Sequence, residues 1–575
     1  MKRIFVEMKR LSYSLVLIIS LTLGSLMKAD AQGGMIPFSD NTYQLIDRYS
    51  IRSSIPLNYY SGIRPYARDV ITPWIETFSE NEQLNERDRF NLRFLLRDNG
   101  EFFSDPTLFD RKGIWNTFYR RENAFWHGHD STFDIVLNPV MNFGAGSSPQ
   151  SDGLAFYQNT RGFQLRGQIA GKVGFYTYLT ENQLLLPRPQ RDLINQEIAI
   201  PGYGFYKSFG DSAYDFFNAR GYINFSPIKQ IRIQFGHDKL FFGNGYRSLI
   251  WGDHMKENLF LRVHTNFGRV HYTNVFSQLD DLEFISGTGD GIQKKYSAFH
   301  YLGLNLLQGK LNVGVFENII FSNRDSTGRS LGYEINYLNP IIFYRAVEHG
   351  LNSRDNAMLG LDWKWNFLRG YSFYGQVLLD EFTTKEMLGA TGWWGNKWAA
   401  QLGMRFVDLL NIPNLDLQTE MNIVRPYTYG YSSTDRSATH YNQPIAHPLG
   451  ANFQEFVAIG RYQILPNLNF RLSYIHSTRG LDSSFSSNAT FGGQINVPYS
   501  AQSRPKETGI SIGEGVQEVL DIVDAQLSFQ LFHNAFVDLR YVHRMRDVQA
   551  PLKSSDLNLF YVGFRMNIDP TRFDY

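Results

Sequence analysis

Ala525-Gln526-Leu527-Ser528-Phe529-Gln530-Leu531-Phe532-His533-Asn534-Ala535-Phe536-Val537-Asp538-Leu539-Arg540-Tyr541 alternates apolar and polar residues on both sides of a two-residue turn. Ala525, Leu527, Phe529 and Leu531 alternate with Gln526, Ser528 and Gln530. His533-Asn534 turns the chain, and Val537, Leu539 and Tyr541 then alternate with Asp538 and Arg540. A period of two places one set on each face of a strand. Asp538 and Arg540 need a face in water, while the apolar set needs a face out of it. The last apolar run repeats the pattern: Phe560, Val562, Phe564, Met566 and Ile568 against Tyr561, Gly563, Arg565 and Asn567.

Working outward, the same hairpin recurs. Phe163, Leu165 and Ile169 lead through Ala170-Gly171-Lys172 to Val173, Phe175 and Leu179. Ala219, Ile223 and Phe225 lead through Ser226-Pro227 to Ile231, Ile233 and Phe235. Leu259, Leu261 and Val263 lead through Phe267-Gly268 to Val270, Tyr272 and Phe276. Further turns are Gln308-Gly309-Lys310, Leu368-Arg369-Gly370, Asn411-Ile412-Pro413-Asn414 and Leu465-Pro466-Asn467, and Phe133–Leu137 opens the series as an unpaired first strand. Between these hairpins lie long connections near 144–160, 182–214, 239–256, 278–295, 321–355, 381–396, 425–451, 478–516 and 546–555. Short turns on one rim and long loops on the other are the pattern of outer-membrane barrels, and the count comes to about eighteen strands with both chain ends in the periplasm. A soluble sandwich or propeller has no reason for that asymmetry. The expected class is all-β membrane, an antiparallel outer-membrane β-barrel with a small helical N-terminal region.

The N-terminus agrees. Lys2, Arg3, Lys9 and Arg10 precede an apolar run from Leu15 to Leu26, and Ala29-Asp30-Ala31 is a small-x-small cleavage site. Residues 1–31 therefore read as a secretory signal peptide, with Met8 able to open the same signal. No mature segment approaches the roughly 20 apolar residues of a membrane helix. The 33 Tyr, 46 Phe and 49 Gly suit aromatic girdles and tight turns. With no cysteine there is no disulfide framework and no thiolate metal site. With 56 basic against 55 acidic residues, nothing favours nucleic acid. Residues 32–131 form a separate region, periplasmic or plugging the lumen. Ile63 to Phe78 and Leu84 to Leu96 have helical spacing, and Asn85 with Asp88 marks a helix start. Residues 132–575 form the barrel.

Three loop-proximal stretches combine polar and aromatic groups. They are Phe235 to Ser248, Tyr337 to Asn356, and Glu420 to Asn452. Planar polar side chains suit paired sugar hydroxyls, and aromatic rings suit the apolar faces of sugars. From them we take Arg247, Arg354, Arg425, Tyr427, His440 and Asn442 as candidate glycan-binding residues, all near the outward ends of strands. Arginine offers a planar fork to acidic sugars, and tyrosine a ring with one hydroxyl. The same stretches could instead pin the loops together, and both readings stay open.

The motifs Phe235-Gly236-His237-Asp238-Lys239…Gly243-Asn244-Gly245-Tyr246-Arg247-Ser248 and Val424-Arg425-Pro426-Tyr427-Thr428-Tyr429…His440-Tyr441-Asn442-Gln443-Pro444…His447-Pro448-Leu449-Gly450-Ala451-Asn452 resemble the Wzi-like capsule-assembly proteins of Bacteroidetes. That group overlaps with gliding-motility-associated barrels, and the resemblance extends to Ser61-Gly62-Ile63-Arg64-Pro65-Tyr66. It implies a barrel with a periplasmic helical bundle that holds capsular polysaccharide at the surface. The implied partners are surface polysaccharide, outer-membrane lipid, and periplasmic export or motility components. A passive pore, and a gliding or adhesion accessory, are the alternatives.

Other constellations carry less. His127-Gly128-His129-Asp130 reads as ordinary rim residues rather than metal ligands. His237 and Asp238 are strand neighbours, so they point apart. Gly287 to Gly291 is a tight loop, not a phosphate cradle. No nucleophile, base and orienter stand together. The expectation is no enzyme, no catalytic residue, no metal and no cofactor.

Overall fold

A computed structural model describes residues 34–574 except 116, 152–153, 211, 283–291, 325–329, 345–354, 382, 483–489 and 551. The signal peptide, Arg354 and the Gly287–Gly291 loop lie outside the described residues.

The wall is a closed antiparallel barrel of eighteen principal strands. In chain order they are β1 (Phe133–Ser147), β2 (Leu154–Ile169), β3 (Val173–Leu185), β4 (Ala213–Ile228), β5 (Ile231–Asp238) and β6 (Asn258–Phe267). Next come β7 (Val270–Asp281), β8 (Gln293–Leu306), β9 (Leu311–Phe321), β10 (Asn356–Leu368), β11 (Tyr371–Glu381) and β12 (Lys397–Phe406). The last are β13 (Leu415–Val424), β14 (Phe453–Leu465), β15 (Leu468–Leu481), β16 (Val516–Phe532), β17 (Ala535–Val548) and β18 (Ser555–Met566). β18 pairs with β1, from Phe560 opposite Ser147 to Met566 opposite Met141, and so removes the sheet edge. A short strand, Trp126–His129, extends the wall along the periplasmic half of β1.

The two faces separate as the alternation predicts. Phe560 and Val562 are 55% and 57% exposed toward the lipid side, while their neighbours Tyr561 and Arg565 are each 7% exposed on the lumen side. The outward belt of apolar side chains and the closed wall place the protein in the cell outer membrane.

Three details differ from the sequence expectation. The turn placed at Ser226-Pro227 falls three residues later, at Lys229-Gln230, because Pro227 sits at a register shift between Phe225 and Ile228 where no ladder N–H is needed. The first loop contracts from 144–160, since β1 and β2 run on to Ser147 and from Leu154. Ile568, expected to face lipid, lies beyond the end of β18 and packs inward near Met35 and Val140.

The N-terminal region occupies the periplasmic half. It contains α1 (Asp40–Arg52), α2 (Arg68–Asn81) and α3 (Glu86–Asp98). Helix α1, which the apolar spacing did not mark, is capped by Ser39 and buries Arg48 and Asp47 against the lumen wall. Arg48 pairs with Asp416, and with Asp408 at 2.5 Å. Asp47 meets Arg405, Arg64 at 3.0 Å and Lys364 at 3.5 Å. The helix expected from Ile63 begins only at Arg68. Ile63 and Arg64 instead pair with Phe241 and Phe242, as the residue before Pro65 is disfavoured in a helix. Helix α3 starts at Asn85 with a reciprocal capping box to Asp88. It lies across periplasmic turns, with Arg87 donating to the Pro413 carbonyl at 3.1 Å and Asn91 to Gln463 at 2.8 Å.

From the outer side, the 239–257 connection dives into the lumen. Its Phe242 and Trp251 are fully buried against Phe299, in a cluster that also holds Tyr60 and Ile63 from the N-terminal region. The chain end after β18 folds back inside as well. Arg572 reaches Asp253 at 2.8 Å, and Phe573 packs edge-on against Phe156. Two cavities of about 80 and 110 Å³ remain between α1 and the wall, sharing Asp40, Gln44, Arg48, Asp416 and Arg461 in their linings.

Candidate functional site

The outer half holds the sequence candidates at three separate places. Arg247 is the deepest, at 4% exposure. The backbone N–H groups of Tyr246 and Arg247 donate to Glu420 at 2.7 and 3.0 Å, which fixes the loop's path. The guanidinium then pairs with Glu455 at 3.1 Å and Asp574 at 3.0 Å and lies over the Tyr246 ring. Burial pushes the Asp574 carboxyl up, but Arg247 and Arg572 outweigh it and hold the group at about 2. Arg247 thus ties an outer loop, the wall and the chain end together inside the barrel.

His440 and Asn442 form the second place. His440 is 1% exposed; its Nδ1 accepts the Asp280 N–H at 2.9 Å and its Nε2 faces the Glu257 carbonyl at 3.0 Å. That pair of bonds suits one neutral tautomer. Burial pulls its pKa down to about 4, which keeps it neutral. Asn442 donates to the Glu197 carbonyl at 3.1 Å, from a left-handed backbone position with φ +58°. These residues clasp the 186–212 and 425–452 loops to the rim.

Arg425 and Tyr427 belong to the third place, which is richest in aromatic groups. The Tyr427 hydroxyl donates to the Thr490 carbonyl at 2.6 Å, and the ring meets Tyr499 and Trp394 edge-on at 5.5 and 6.1 Å. Trp394 pairs with Trp393 at 5.6 Å and carries the Arg504 guanidinium 3.8 Å above its ring. Half-buried Arg425 donates to the carbonyls of Trp393 and Ile510, both at 3.4 Å. Burial pulls the Arg425 pKa below its ordinary value. Trp393, Trp394 and Arg504 are half-buried at the outer rim.

The candidates therefore do not converge on one surface. Arg247, Tyr427 and His440 point inward and bind loops, Arg425 and Asn442 are half-buried, and Arg354 lies outside the described residues. The sequence reading missed Trp393, Trp394, Tyr499 and Arg504. The Trp393-Trp394 pair was the available signal, but its partners come from a loop more than a hundred residues away in sequence.

At the periplasmic rim, His127 and His129 share one face of their short strand and both meet Asp134, at 3.1 and 3.0 Å. Their donor atoms lie within 4.8 Å of one another, close enough to suit a divalent cation as well as the hydrogen bonds drawn here. His237 and Asp238 point to opposite faces as expected: His237 faces the Ala219 carbonyl at 3.1 Å, while Asp238 is buried near Arg220.

Fold and interior together define a class: an eighteen-stranded outer-membrane barrel whose lumen is occupied by its own chain from both ends. No family model and no curated protein matches the sequence. Among solved structures, the chain is similar to Wzi of Escherichia coli, an outer-membrane protein involved in group 1 capsule assembly and a carbohydrate-binding β-barrel. The TM-score is 0.57 at 11% identity, covering 94% of this chain and 100% of that one. It is also similar to OprD of Pseudomonas aeruginosa, with TM-score 0.40, 11% identity, and 75% and 92% coverage. OccK2 of the same organism, solved with glucuronate, gives TM-score 0.39 at 10% identity, with 75% and 98% coverage. The first likeness shows a Wzi-like barrel fold.

Proposed function

We propose that this barrel binds and organises surface polysaccharide, in the manner of the Wzi-like capsule-assembly proteins that its motifs resemble. The observation that supports the reading best is the outer-rim cluster of Trp393, Trp394, Tyr499, Arg504 and Arg425, set above a lumen filled by the protein's own chain. Indole rings offer flat apolar faces to sugars, and the arginines offer cations for acidic residues of a polymer. Tyr427 serves this surface by bonding the Thr490 carbonyl and packing on Tyr499 and Trp394.

The test compares cell-attached with shed polysaccharide in a deletion strain and in a strain carrying Trp393→Ala with Arg504→Ala. Both should shed polysaccharide, while the double variant still reaches the surface as a folded, heat-modifiable barrel. Unchanged attachment in the deletion strain overturns the reading, and loss of gliding alone would put an adhesion or motility role in its place. Steady single-channel conductance from the purified protein would instead favour a passive pore.

A further inference from the structure

The outer wall carries a polar group of side chains where lipid contact is expected. Tyr301 faces the lumen, where its hydroxyl bonds Tyr60 and Asp362. Its neighbour His300 therefore faces outward, as do Glu317 and Asn274, its partners across the β8–β9 and β7–β8 ladders. His300 Nδ1 lies 2.6 Å from Asn274 Oδ1. Glu317 sits in the middle of β9, at the height of the membrane. Yet Asn274, His300 and Glu317 are only 4%, 3% and 1% exposed, whereas Leu304 and Leu361 on the same outer wall are 39% and 37% exposed.

What covers them is the segment 330–344 of the connection between β9 and β10. These described residues do not rise from the rim but run along the outside of the barrel. Tyr333 packs on outward-facing Phe276, Tyr296 and Phe321, and Tyr337 stacks on Phe321 at 4.1 Å. Lower down, the Phe343 N–H donates to Glu317 at 2.8 Å, and the Pro340 carbonyl accepts the hydroxyl of Tyr272, near the periplasmic end of β7. The strap's other edge is apolar and uncovered: Leu331, Ile335, Leu338, Ile341 and Tyr344 are 62%, 74%, 42%, 58% and 48% exposed. Its polar pair, Glu334 and Asn336, belongs to the upper part beside Tyr333 and Tyr337, and the two side chains bond each other at 2.7 Å.

We propose that this strap is a lipid-embedded element, with its apolar edge against the acyl chains of the outer membrane and its inner side lidding Asn274, His300 and Glu317. Irregular backbone at membrane depth is tolerated where it is buried against protein, because each unsatisfied polar group in hydrocarbon is costly, so the strap must turn its backbone to the wall or pair it. Several are satisfied here: Leu331 N–H by the Asn323 carbonyl at 2.8 Å, Tyr337 N–H by the Glu334 carbonyl at 3.0 Å and Ile341 N–H by Asn339 at 3.1 Å. Pro340 has no N–H to satisfy. The strap therefore presents apolar side chains to lipid over a backbone in which several N–H groups are paired. It also accounts for the described part of the second polar–aromatic stretch, residues 337–344, none of which contacts the Trp393 cluster.

The chain has no cysteine, so single labels are clean. Leu338→Cys, Ile341→Cys, Val562→Cys as a lipid reference and Ser500→Cys as a water reference are each labelled with bimane in the full-length protein, and the barrels are reconstituted in phospholipid vesicles. Leu338 and Ile341 labels should behave like Val562, quenched several-fold by brominated acyl chains and shielded from iodide. Iodide quenching equal to that at Ser500 overturns the proposal, because the strap would then lie in water. Shielding from both quenchers also overturns it, because protein rather than lipid would cover the edge.

Discussion

Arg247→Ala tests whether the lumen is held closed from within. The guanidinium compensates Glu455 at 3.1 Å and Asp574 at 3.0 Å, all at or below 6% side-chain exposure. Removing one partner of a buried ion pair typically costs about 3–5 kcal/mol, because the remaining charge stays buried. Here the lower end applies. Glu455 keeps His447 at 2.8 Å and an Asn422 amide at 3.0 Å, and Asp574 keeps the field of Arg572. A loss of about 3 kcal/mol raises the undocked population of the chain end roughly a hundredfold, at 1.4 kcal/mol per factor of ten. Hydrogen exchange of the 567–574 amides in detergent-solubilised protein should accelerate by that factor, while amides in the β16–β17 hairpin keep their protection. Arg247→Ala combined with Asp574→Ala should exchange little faster than Asp574→Ala alone, since the pair acts as a unit. Unchanged exchange in Arg247→Ala, or strictly additive effects, would refute the reasoning.

Three further outcomes are expected. Burial lowers the pKa of His440 to about 4 and that of His254 to about 3, both from 6.5, so these groups are neutral in the fold and protonate more readily when the loops are released. The stability they contribute is complete above 6.5 and falls as pH drops toward about 4 for His440 and about 3 for His254, by about 2.5 kcal/mol for His440 at pH 4.5. Proteolysis of the 425–452 loop should therefore quicken between pH 7 and 4.5, less so in His440→Gln. Phe564→Arg puts a cation on the outward face and should destabilise the barrel by about 2–4 kcal/mol near the midplane, read by heat-modifiable gel mobility against Phe564→Leu. An epitope inserted at exposed Ser432 should be detected on intact cells, and one between Asn467 and Leu468 only after the outer membrane is permeabilised.

Strand number and faces were legible in the sequence because each depends on near neighbours. A period of two is a property of adjacent residues, so Phe560 and Tyr561 declare opposite faces without reference to anything distant. The turn at His533-Asn534 and the cap at Asn85 are equally local. The candidate site was legible only as composition. Arg247 and Arg425 are both arginines beside aromatic rings at strand ends, yet one is locked between Glu455 and Asp574 and the other lies at the rim under Trp393.

Alternation along the chain thus showed by itself that this protein is a membrane barrel and which side of the strands meets lipid. The tertiary structure alone decided that α1, the 239–257 loop and the chain end fill the lumen, and that residues 330–344 lie on the outer wall. The physical reason is range. A strand's face follows from the next residue, but whether a buried charge is tolerated depends on a partner hundreds of residues away, as Arg247 and Asp574 show.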